Sequence, residues 1–315
     1  MTDAGVRPDS RGTASAEQLT GEILSNALYL VGTPIGNLED ITFRALRVLK
    51  QADIIAAEDT RHTGKLLRHF QIETPQISYH DHNRQQRIPQ LVERLQQGEA
   101  IALVTDAGMP GISDPGYELV SACVEADVPV VPVPGPSAVV TALAAGGLPS
   151  DRFIFEGFLP AKGKARKTRL AEIKTETRTL VFYEGPHRLL KTLRDLSEAM
   201  SADCQIAIAR ELTKRYEEFW RGTLADAITH YESTTPKGEF TLVLSPAPMP
   251  TAELSTEEVT AKLKHLLAQG LSRTEASRQL AKQTTLSKRE IYQISLDIDI
   301  YSVLQDKSAG EMPLD

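Results

Sequence analysis

Three loops rich in glycine and proline each follow a short apolar run, where a parallel sheet would place a ligand. Their sequences are Val31-Gly-Thr-Pro-Ile-Gly-Asn37, Asp106-Ala-Gly-Met-Pro-Gly-Ile-Ser-Asp-Pro-Gly116 and Pro134-Gly-Pro-Ser-Ala138. Glycine lets the backbone approach a ligand closely, and proline holds a turn rigid. None of the loops has the G-x-G-x-x-G or Walker pattern, so a dinucleotide or nucleoside triphosphate site has no motif behind it. Each loop alone also fits an ordinary tight turn, but the three together indicate one ligand site.

Several titratable side chains near these loops are candidates for accepting a proton. Glu58 and Asp59 end one apolar run, and His80 follows the next, with His82 close by. A histidine suits base chemistry because it titrates near neutral pH. The Glu-Asp-Thr-Arg run fits a salt-bridged structural corner equally well. The sequence therefore predicts Glu58, Asp59 and His80 as alternative catalytic residues. Asp106 is predicted either to hold a positive charge or to cap a helix.

The elements that position these residues alternate between strands and helices. Helical periodicity follows Asn37 or Asp40, either of which is a plausible helix cap, and again covers residues 88–95. The β-α-β-α order predicts an α/β fold with a largely parallel sheet covered on both faces. The predicted strands of this first block are Ala27–Gly32, Asp53–Ala57, Ile77–Tyr79, Ile101–Thr105 and Val128–Val133.

A second α/β block follows a hinge composition at residues 146–149. Its predicted strands are Phe153–Phe155, Thr179–Tyr183, Gln205–Ala209 and Phe240–Leu244, with helices near 164–174, 187–200 and 224–232. The predicted organisation is a disordered tail (1–26), an N-terminal α/β domain (27–148), a second α/β domain (149–245), a linker (246–254), a helical module (255–300) and a tail (301–315).

The helical module is indicated by three S-x-x-E sequences, at residues 255–258, 272–275 and 287–290. In such a capping box the Ser and Glu side chains satisfy free N–H groups at a helix start. Three short helices with a shared apolar core resemble a helix-turn-helix module.

The charge distribution is uneven. The net charge of −7 argues against a nucleic-acid partner, because phosphate contact needs Lys and Arg. Local basic segments outweigh that average. The segment 162–169 carries five basic residues and no acid, and fits either RNA contact or a solvated flexible loop. The predicted RNA-binding residues are Arg61, Lys65, Lys162, Lys164, Arg166, Lys167 and Arg169.

Cysteine usage and hydropathy exclude other classes. Cys123 and Cys204 match no zinc or disulfide spacing, so we expect buried thiols, no structural metal and a reducing cytoplasm. The uncharged stretch 128–150 contains four prolines, which excludes one membrane-spanning helix. The first 25 residues lack the pattern of a signal peptide. The sequence predicts a cytoplasmic protein without a membrane partner.

Five segments resemble one enzyme family. They are Gly-Thr-Pro-Ile-Gly-Asn-Leu-Glu-Asp-Ile-Thr (32–42), Ala-Glu-Asp-Thr-Arg-His-Thr-Gly-Lys-Leu-Leu (57–67), Tyr-His-Asp-His-Asn (79–83), Asp-Ala-Gly-Met-Pro-Gly-Ile-Ser-Asp-Pro-Gly (106–116) and Phe-Tyr-Glu-Gly-Pro-His-Arg-Leu (182–189). On these motifs the chain resembles the tetrapyrrole-methylase superfamily, and within it the branch that methylates small-subunit ribosomal RNA. One position departs from the family pattern, since Gly185 stands where serine is common before the proline.

The resemblance implies two α/β domains with a deep cleft that binds S-adenosylmethionine. It further implies 2′-O-methylation of a cytidine in the decoding region of 16S rRNA, within the 30S subunit, by a homodimer. Carried over by motif, the implied cofactor-binding residues are Thr33, Pro34, Asp106, Ala107, Gly108, Ser113, Asp114, Ser137, Ala138, Phe158, Leu159, Pro160, Arg210, Glu211, Leu212, Gly238 and Glu239. The segments 157–160, 209–212 and 238–241 of the second domain are implied to close over the ligand. The helical module is expected to dock the RNA or ribosomal protein, or to stabilise a dimer.

Two alternatives compete with this interpretation. A small-molecule methylase of the tetrapyrrole branch predicts neither the basic segment nor the helical module. A non-catalytic nucleic-acid-binding regulator would not need three rigid loops at one sheet edge.

Overall fold

The computed structural model describes residues 25–245, 254–281, 284 and 286–299. These residues form two compact units, one containing both sheets (25–170 and 179–245) and one containing residues 171–178 and the described residues from 254 onward. The predicted tails and linker lie outside the described residues, apart from residues 25, 26 and 254.

The first sheet has five parallel strands in the order β3-β2-β4-β1-β5. Its central strands are buried along their whole length, as expected when helices cover both faces of a parallel sheet. The parallel sheet is as predicted, with strand ends shifted by one or two residues. The strands are β1 (Leu28–Val31), β2 (Ile54–Ala57), β3 (Gln76–Ser78), β4 (Ile101–Val104) and β5 (Val130–Val133).

Four helices accompany this sheet and complete what we call the first lobe. They are α1 (Phe43–Gln51), α2 (Thr60–His69), α3 (Arg84–Gln96) and α4 (Tyr117–Glu125). The expectation that Asn37 or Asp40 caps α1 is wrong. The Thr42 side chain accepts the Ala45 N–H, and Asn37 instead caps a short 3-10 helix, Leu38–Asp40.

The second sheet has the order β6-β7-β10-β8-β9, with only β6 and β7 parallel. Its strands are β6 (Phe153–Phe158), β7 (Thr179–Glu184), β8 (Gln205–Arg210), β9 (Glu218–Thr223) and β10 (Phe240–Leu244). The strand β9 is not predicted from the sequence. It is an edge strand whose residues Glu-Phe-Trp-Arg-Gly-Thr show no clean apolar alternation.

The helices after β5 are α5 (Ala138–Gly146), α6 (Gly163–Ile173), α7 (Leu189–Ala199) and α8 (Leu224–Ser233). The buried side of α5 packs on the second sheet, where Val139 and Leu143 join a core with Val181, Ala207 and Val243. We call the second sheet with α5, α7 and α8 the second lobe. The predicted boundary at residue 148 therefore does not coincide with the separation of the two apolar cores.

The C-terminal unit contains α9 (Thr256–Ala268), α10 (Arg273–Ala281) and α11 (Lys288–Leu296). All three S-x-x-E sequences form the expected hydrogen bonds, for example Glu258 N–H to the Ser255 hydroxyl at 3.2 Å. Val259, Leu263, Ala276, Leu280 and Ile291 form its core. Three helices therefore lie where the sequence predicts a helical module, within the residues that the structure describes.

Candidate active site

The three glycine-proline loops meet at the carboxyl edge of the first sheet, because β4, β1 and β5 are neighbours. The backbones of Thr33 and Gly108 exchange hydrogen bonds of 2.9 and 3.1 Å, which join the first loop to the second. Gly32 packs against Gly135 so closely that a Cβ on Gly32 would lie 2.7 Å from the Gly135 Cα. This contact excludes any side chain at Gly32, so glycine is needed there for close approach.

A cavity of about 370 Å³, here called the first cavity, lies between these loops and the second lobe. Aliphatic and aromatic side chains from both lobes form most of its wall, with two buried or half-buried carboxylates among them. It is lined by Ile35, Ala107, Gly108, Met109, Ile112, Ser113, Asp114, Ser137, Ala138, Phe158, Tyr183, Glu184, Gly185, Ala209, Leu212, Glu239, Phe240 and Thr241.

A second cavity of about 550 Å³ adjoins the first, because Ile35, Ala107 and Glu239 line both. Its wall is more polar and includes side chains of α2. It is lined by Thr33, Pro34, Ile35, Gly36, Leu38, His62, Thr63, Lys65, Leu66, Thr105, Asp106, Ala107, Lys214 and Glu239.

Most of the cofactor-binding residues predicted from the motifs line one of these two cavities. The first cavity receives Ala107, Gly108, Ser113, Asp114, Ser137, Ala138, Phe158, Leu212 and Glu239. The second receives Thr33, Pro34 and Asp106, and shares Ala107 and Glu239. Segments far apart in sequence therefore converge on one place, where the resemblance implied a ligand.

Five predicted cofactor residues line neither cavity and instead support the walls. Leu159 is buried, and its carbonyl accepts a hydrogen bond from Arg188. The Pro160 carbonyl accepts one from Arg166 at 3.0 Å. Arg210 ends β8 and Glu211 follows it, and Gly238 precedes Glu239 on the neighbouring chain segment. There Arg210 bonds the Lys237 carbonyl, Glu211 pairs with Lys214, and Gly238 has a φ of +87°.

Six residues that line the first cavity lie outside the predicted residues and segments: Ile35, Met109, Ile112, Tyr183, Glu184 and Gly185. The sequence did indicate the segments that contain them, because the first three lie inside the glycine-proline loops and the other three inside the motif at 182–189. No Cβ contact arises within 4 Å at Gly185, so the serine common at this position in the family would fit.

Carboxylates collect at the edge of the first sheet, and their environment shifts their protonation. Burial, followed by the charges of Glu58 and Asp106, raises the pKa of Asp114 to about 7. Burial also raises the pKa of Glu58, which accepts the Asp106 N–H at 3.3 Å. One carboxylate oxygen of Asp106, Oδ1, is buried without a hydrogen-bond partner among the described residues. An unpaired acceptor of this kind suits a ligand that brings a donor or a positive charge.

The three predicted catalytic residues line neither cavity. Asp59 caps α2, and its two oxygens accept hydrogen bonds from Arg61 at 3.1 and 2.7 Å, which hold the pKa of Asp59 well below its usual range. Asp59 therefore forms the salt-bridged corner that the sequence offers as the alternative to a base. The Glu58 carboxylate accepts a hydrogen bond from the Asp106 backbone N–H and does not itself reach a cavity. His80 lies against His82 and Asn83, with the His80 Nδ1 atom buried.

The basic segment is not a loop, because most of it forms α6. The prediction of Arg166 as an RNA-binding residue is wrong. Only 3% of Arg166 is exposed, and its guanidinium bonds Asp195 at 2.6 Å and Thr192 at 3.0 Å. Arg169 is held by Glu156 at 2.5 and 2.6 Å. Lys162, Lys164 and Lys167 are exposed and remain candidates for RNA contact.

Of the two basic residues predicted on α2, Arg61 is committed to Asp59 at 2.7 Å, although its side chain is exposed. Lys65 is exposed and lines the second cavity. Across the part of the chain that the structure describes, no cluster of His, Cys, Asp and Glu is arranged to hold a metal, and no helix is long and apolar enough to cross a membrane. Both cysteines are buried free thiols.

This fold and site define a methylase class. The family model of tetrapyrrole (corrin/porphyrin) methylases matches residues 27–228, and the chain belongs to that family. A solved uroporphyrin-III C-methyltransferase from Thermus thermophilus shares the fold with a TM-score of 0.52 at 23% identity, over 70% of this chain and 95% of its own. A cobalt precorrin-4 methyltransferase does so with a TM-score of 0.52 at 17% identity, over 70% and 95%.

Within the family, the chain is much more similar to proteins named ribosomal RNA small subunit methyltransferase I. The one from Synechocystis sp. is 55% identical over 86% of this chain and 98% of that protein. Those from Halalkalibacterium halodurans and Escherichia coli O157:H7 are 49% and 52% identical, over 85% and 69% of this chain and 93% and 77% of theirs. These relatives confirm the resemblance drawn from the motifs.

Proposed function

We propose that this protein transfers a methyl group from S-adenosylmethionine to small-subunit ribosomal RNA, at the ribose 2′-oxygen of a cytidine in the decoding region. The observation that carries the proposal is the pair of adjoining cavities, one apolar with carboxylates and one with cations. They offer separate places for a cationic methyl donor and an anionic acceptor. The names of the relatives that share about half of its residues support rRNA as the acceptor.

The first cavity fits S-adenosylmethionine by size and chemistry. Its volume of about 370 Å³ lies in the range of small-ligand pockets. Phe158, Tyr183 and Phe240 offer apolar surface to an adenine ring. Asp114 lines this cavity, and a positively charged donor there would favour its ionised form. Glu184 is already paired with Arg188 at 3.3 Å, so it shapes the wall without offering a free charge. The Asp106 carboxylate lies just beyond Ala107 in the second cavity.

S-adenosylmethionine supplies a methyl group on a positively charged sulfur, and the acceptor oxygen displaces that sulfur in line. The rigid loops around Thr33, Gly108 and Ser137 hold donor and acceptor in register, which converts a bimolecular step into an effectively unimolecular one. The new bond joins the 2′-oxygen to the methyl carbon, while the carbon–sulfur bond breaks and its electron pair stays on sulfur. The hydroxyl proton leaves to a base. Two carboxylates lie at or beside the junction of the cavities: Glu239, which pairs with Lys214 at 2.8 Å, and Asp106, whose buried Oδ1 has no hydrogen-bond partner among the described residues. Asp106 is therefore the candidate for this base.

RNA contact is assigned to the exposed cations rather than to the whole basic segment. Lys162, Lys164 and Lys167 project from the start of α6, directly after the cavity residue Phe158 and the turn at 159–161. The substrate is 16S rRNA, with the 30S subunit as its context, and the protein acts in the cytoplasm as a homodimer. The helical module is a further docking surface for the ribosomal particle.

The test offers labelled S-adenosylmethionine to the protein with one of three acceptors: 30S subunits from a strain lacking the modification, naked rRNA, or uroporphyrinogen. We expect label only in the rRNA of the first two reactions, recovered as 2′-O-methylcytidine after digestion. Label only in the porphyrinogen would reject the proposal in favour of a small-molecule methylase. No label anywhere would favour a non-catalytic regulator.

A further inference from the structure

The second cavity has the size and the position of a binding site for the group that receives the methyl. Its volume of about 550 Å³ is sufficient for a small ligand. It meets the first cavity along Ile35, Ala107 and Glu239. A ligand in the second cavity therefore approaches a donor in the first at this shared wall.

The cations of this cavity suit a phosphodiester. Lys65 and His62 are exposed residues of α2, and within the described residues Lys65 forms no ion pair. Lys214, across the cavity, is instead neutralised by Glu211 at 2.9 Å and Glu239 at 2.8 Å. Lys65 is thus the lysine of the wall whose charge is not already balanced by a carboxylate. Phosphate contacts fix the register of a nucleic acid on a protein.

An acceptor for a hydroxyl lies in the same wall. The Asp106 Oδ1 atom is buried and has no hydrogen-bond partner among the described residues. Asp106 lines the second cavity and is followed in sequence by Ala107, which lines both. A ribose hydroxyl would satisfy this oxygen, and a buried acceptor left unpaired costs free energy. The wall therefore offers a cation for phosphate and a carboxylate for the neighbouring sugar.

We propose that the second cavity holds the target nucleotide, with its ribose facing Asp106 and an adjoining phosphate on Lys65. This inference rests on the proposed RNA methylation and adds the subsite where the acceptor strand enters. It also separates Lys65 from Lys162, Lys164 and Lys167 at the start of α6, which contact RNA outside the cavities. The rival occupant of Lys65 is the carboxylate of S-adenosylmethionine itself.

The test compares full-length wild type with Lys65→Ala, Lys65→Arg and the matched control Lys50→Ala. Lys50 is also an exposed helix lysine but lines neither cavity. Two quantities are measured for each variant: the calorimetric affinity for S-adenosylmethionine, and methyl transfer to unmodified 30S subunits over a range of subunit and KCl concentrations. These measurements separate a loss of donor binding from a loss of acceptor binding.

For Lys65→Ala we expect donor affinity within twofold of wild type and at least a tenfold lower kcat/KM for subunits, mainly through KM. Its log–log salt slope should be shallower by about 0.7 to 0.9, the value for one phosphate contact. Lys65→Arg keeps the charge and should stay within threefold of wild type, as should Lys50→Ala. A Lys65→Ala variant that behaves like Lys50→Ala overturns the inference, and one that loses donor affinity assigns Lys65 to the donor. Wild type that labels no RNA overturns the proposed function itself.

Discussion

At the residue scale, we expect Asp106 to recognise the positive charge of the donor at the junction of the cavities. Its carboxylate opens the second loop and keeps one buried oxygen without a partner among the described residues. A carboxylate near the sulfonium would favour S-adenosylmethionine over S-adenosylhomocysteine, whose sulfur is neutral. Two unit charges about 4 Å apart interact by roughly 1 to 4 kcal/mol between bulk water and a protein surface.

Asp106→Asn keeps the shape of the side chain and removes its charge. We expect affinity for S-adenosylmethionine to fall about tenfold, with little change for S-adenosylhomocysteine. Calorimetric titration with both ligands measures the ratio of the two affinities. If that ratio is the same in the variant and the wild type, the Asp106 carboxylate does not act on the sulfonium.

The raised pKa of Asp114 predicts that the stability of the folded protein falls as the pH rises. Its pKa is raised from 3.8 to about 7, so the folded state holds a proton that the unfolded state releases between those values. Stability conferred by that proton is present at low pH and is lost as the pH rises from about 4 to about 7. Asp114→Asn removes the effect, and its stability relative to wild type should improve by about 1 kcal/mol between pH 5 and pH 8, after allowance for partial exposure.

Urea unfolding at the two pH values measures this change, with the exposed Asp203→Asn as the control. The control should show no comparable gain. Equal pH dependence in wild type and Asp114→Asn would mean that Asp114 is ionised in the folded protein throughout this range.

At the element scale, the first and third glycine-proline loops pack together because Gly32 and Gly135 have no side chains. Alanine at Gly32 would bring a methyl group to 2.7 Å from both the Gly135 Cα and the Met109 Sδ. The methionine can move, but the backbone of the third loop cannot move without displacing Ser137. We expect Gly32→Ala to cost about 1 to 3 kcal/mol of stability and to weaken donor binding at least tenfold.

Gly64→Ala is the matched control, because the added methyl meets only the Gln76 side chain at 3.5 Å, inside α2. It should be neutral or stabilising by up to about 1 kcal/mol, with unchanged donor affinity. Unfolding and calorimetry on both variants check the pair. Similar donor affinities for the two variants would show that the contact between the loops does not shape the site.

The basic segment of α6 divides into structural and exposed charges. Arg166 bonds Asp195, Thr192 and the Pro160 carbonyl, and Thr192 in turn donates to the cavity carboxylate Glu184 at 2.5 Å. Arg166→Met keeps the apolar stem but leaves these acceptors without their cation. We expect a loss of about 3 kcal/mol in urea unfolding, as for other broken buried pairs. Lys167→Met, one residue away and exposed, should change stability by less than about 0.5 kcal/mol. An equal effect of the two substitutions would contradict the assignment.

Much of this architecture could be predicted from local patterns. Buried runs such as Ile54–Ala57 and the S-x-x-E boxes report structure directly, because burial and capping depend on a few neighbouring residues. The edge strand β9 was missed because its pairing with β8 is set by tertiary contacts rather than by alternation. Arg166 was misassigned for a related reason. A buried partner such as Asp195, 29 residues away, leaves no local mark in a basic segment.

The site shows the same division between local and distant information. The glycine-proline loops indicated the sheet edge correctly, since the carboxyl ends of neighbouring parallel strands must meet there. The role of each carboxylate depends on which way its side chain points, and the spacing of residues in the sequence does not predict that orientation. Asp59 turns to cap α2, whereas Asp106 lines the second cavity.

At the scale of the whole molecule, the proposed function depends on two adjoining cavities, one for the methyl donor and one for the acceptor. The loops of the first lobe and the edge of the second lobe supply both walls of the first cavity. Our proposal places the donor in this cavity and brings the acceptor strand to it through the second cavity. In this proposal the three loops, Asp106 and Lys65 all position the donor and the acceptor for methyl transfer.

The most direct test is a structure of the full-length protein bound to S-adenosylhomocysteine and an RNA that contains the target cytidine. The account predicts adenosine in the first cavity, the ligand sulfur at the wall shared by Ile35 and Ala107, and the cytidine ribose in the second cavity beside Asp106. Donor density outside the first cavity, or a target ribose remote from the second, would contradict it.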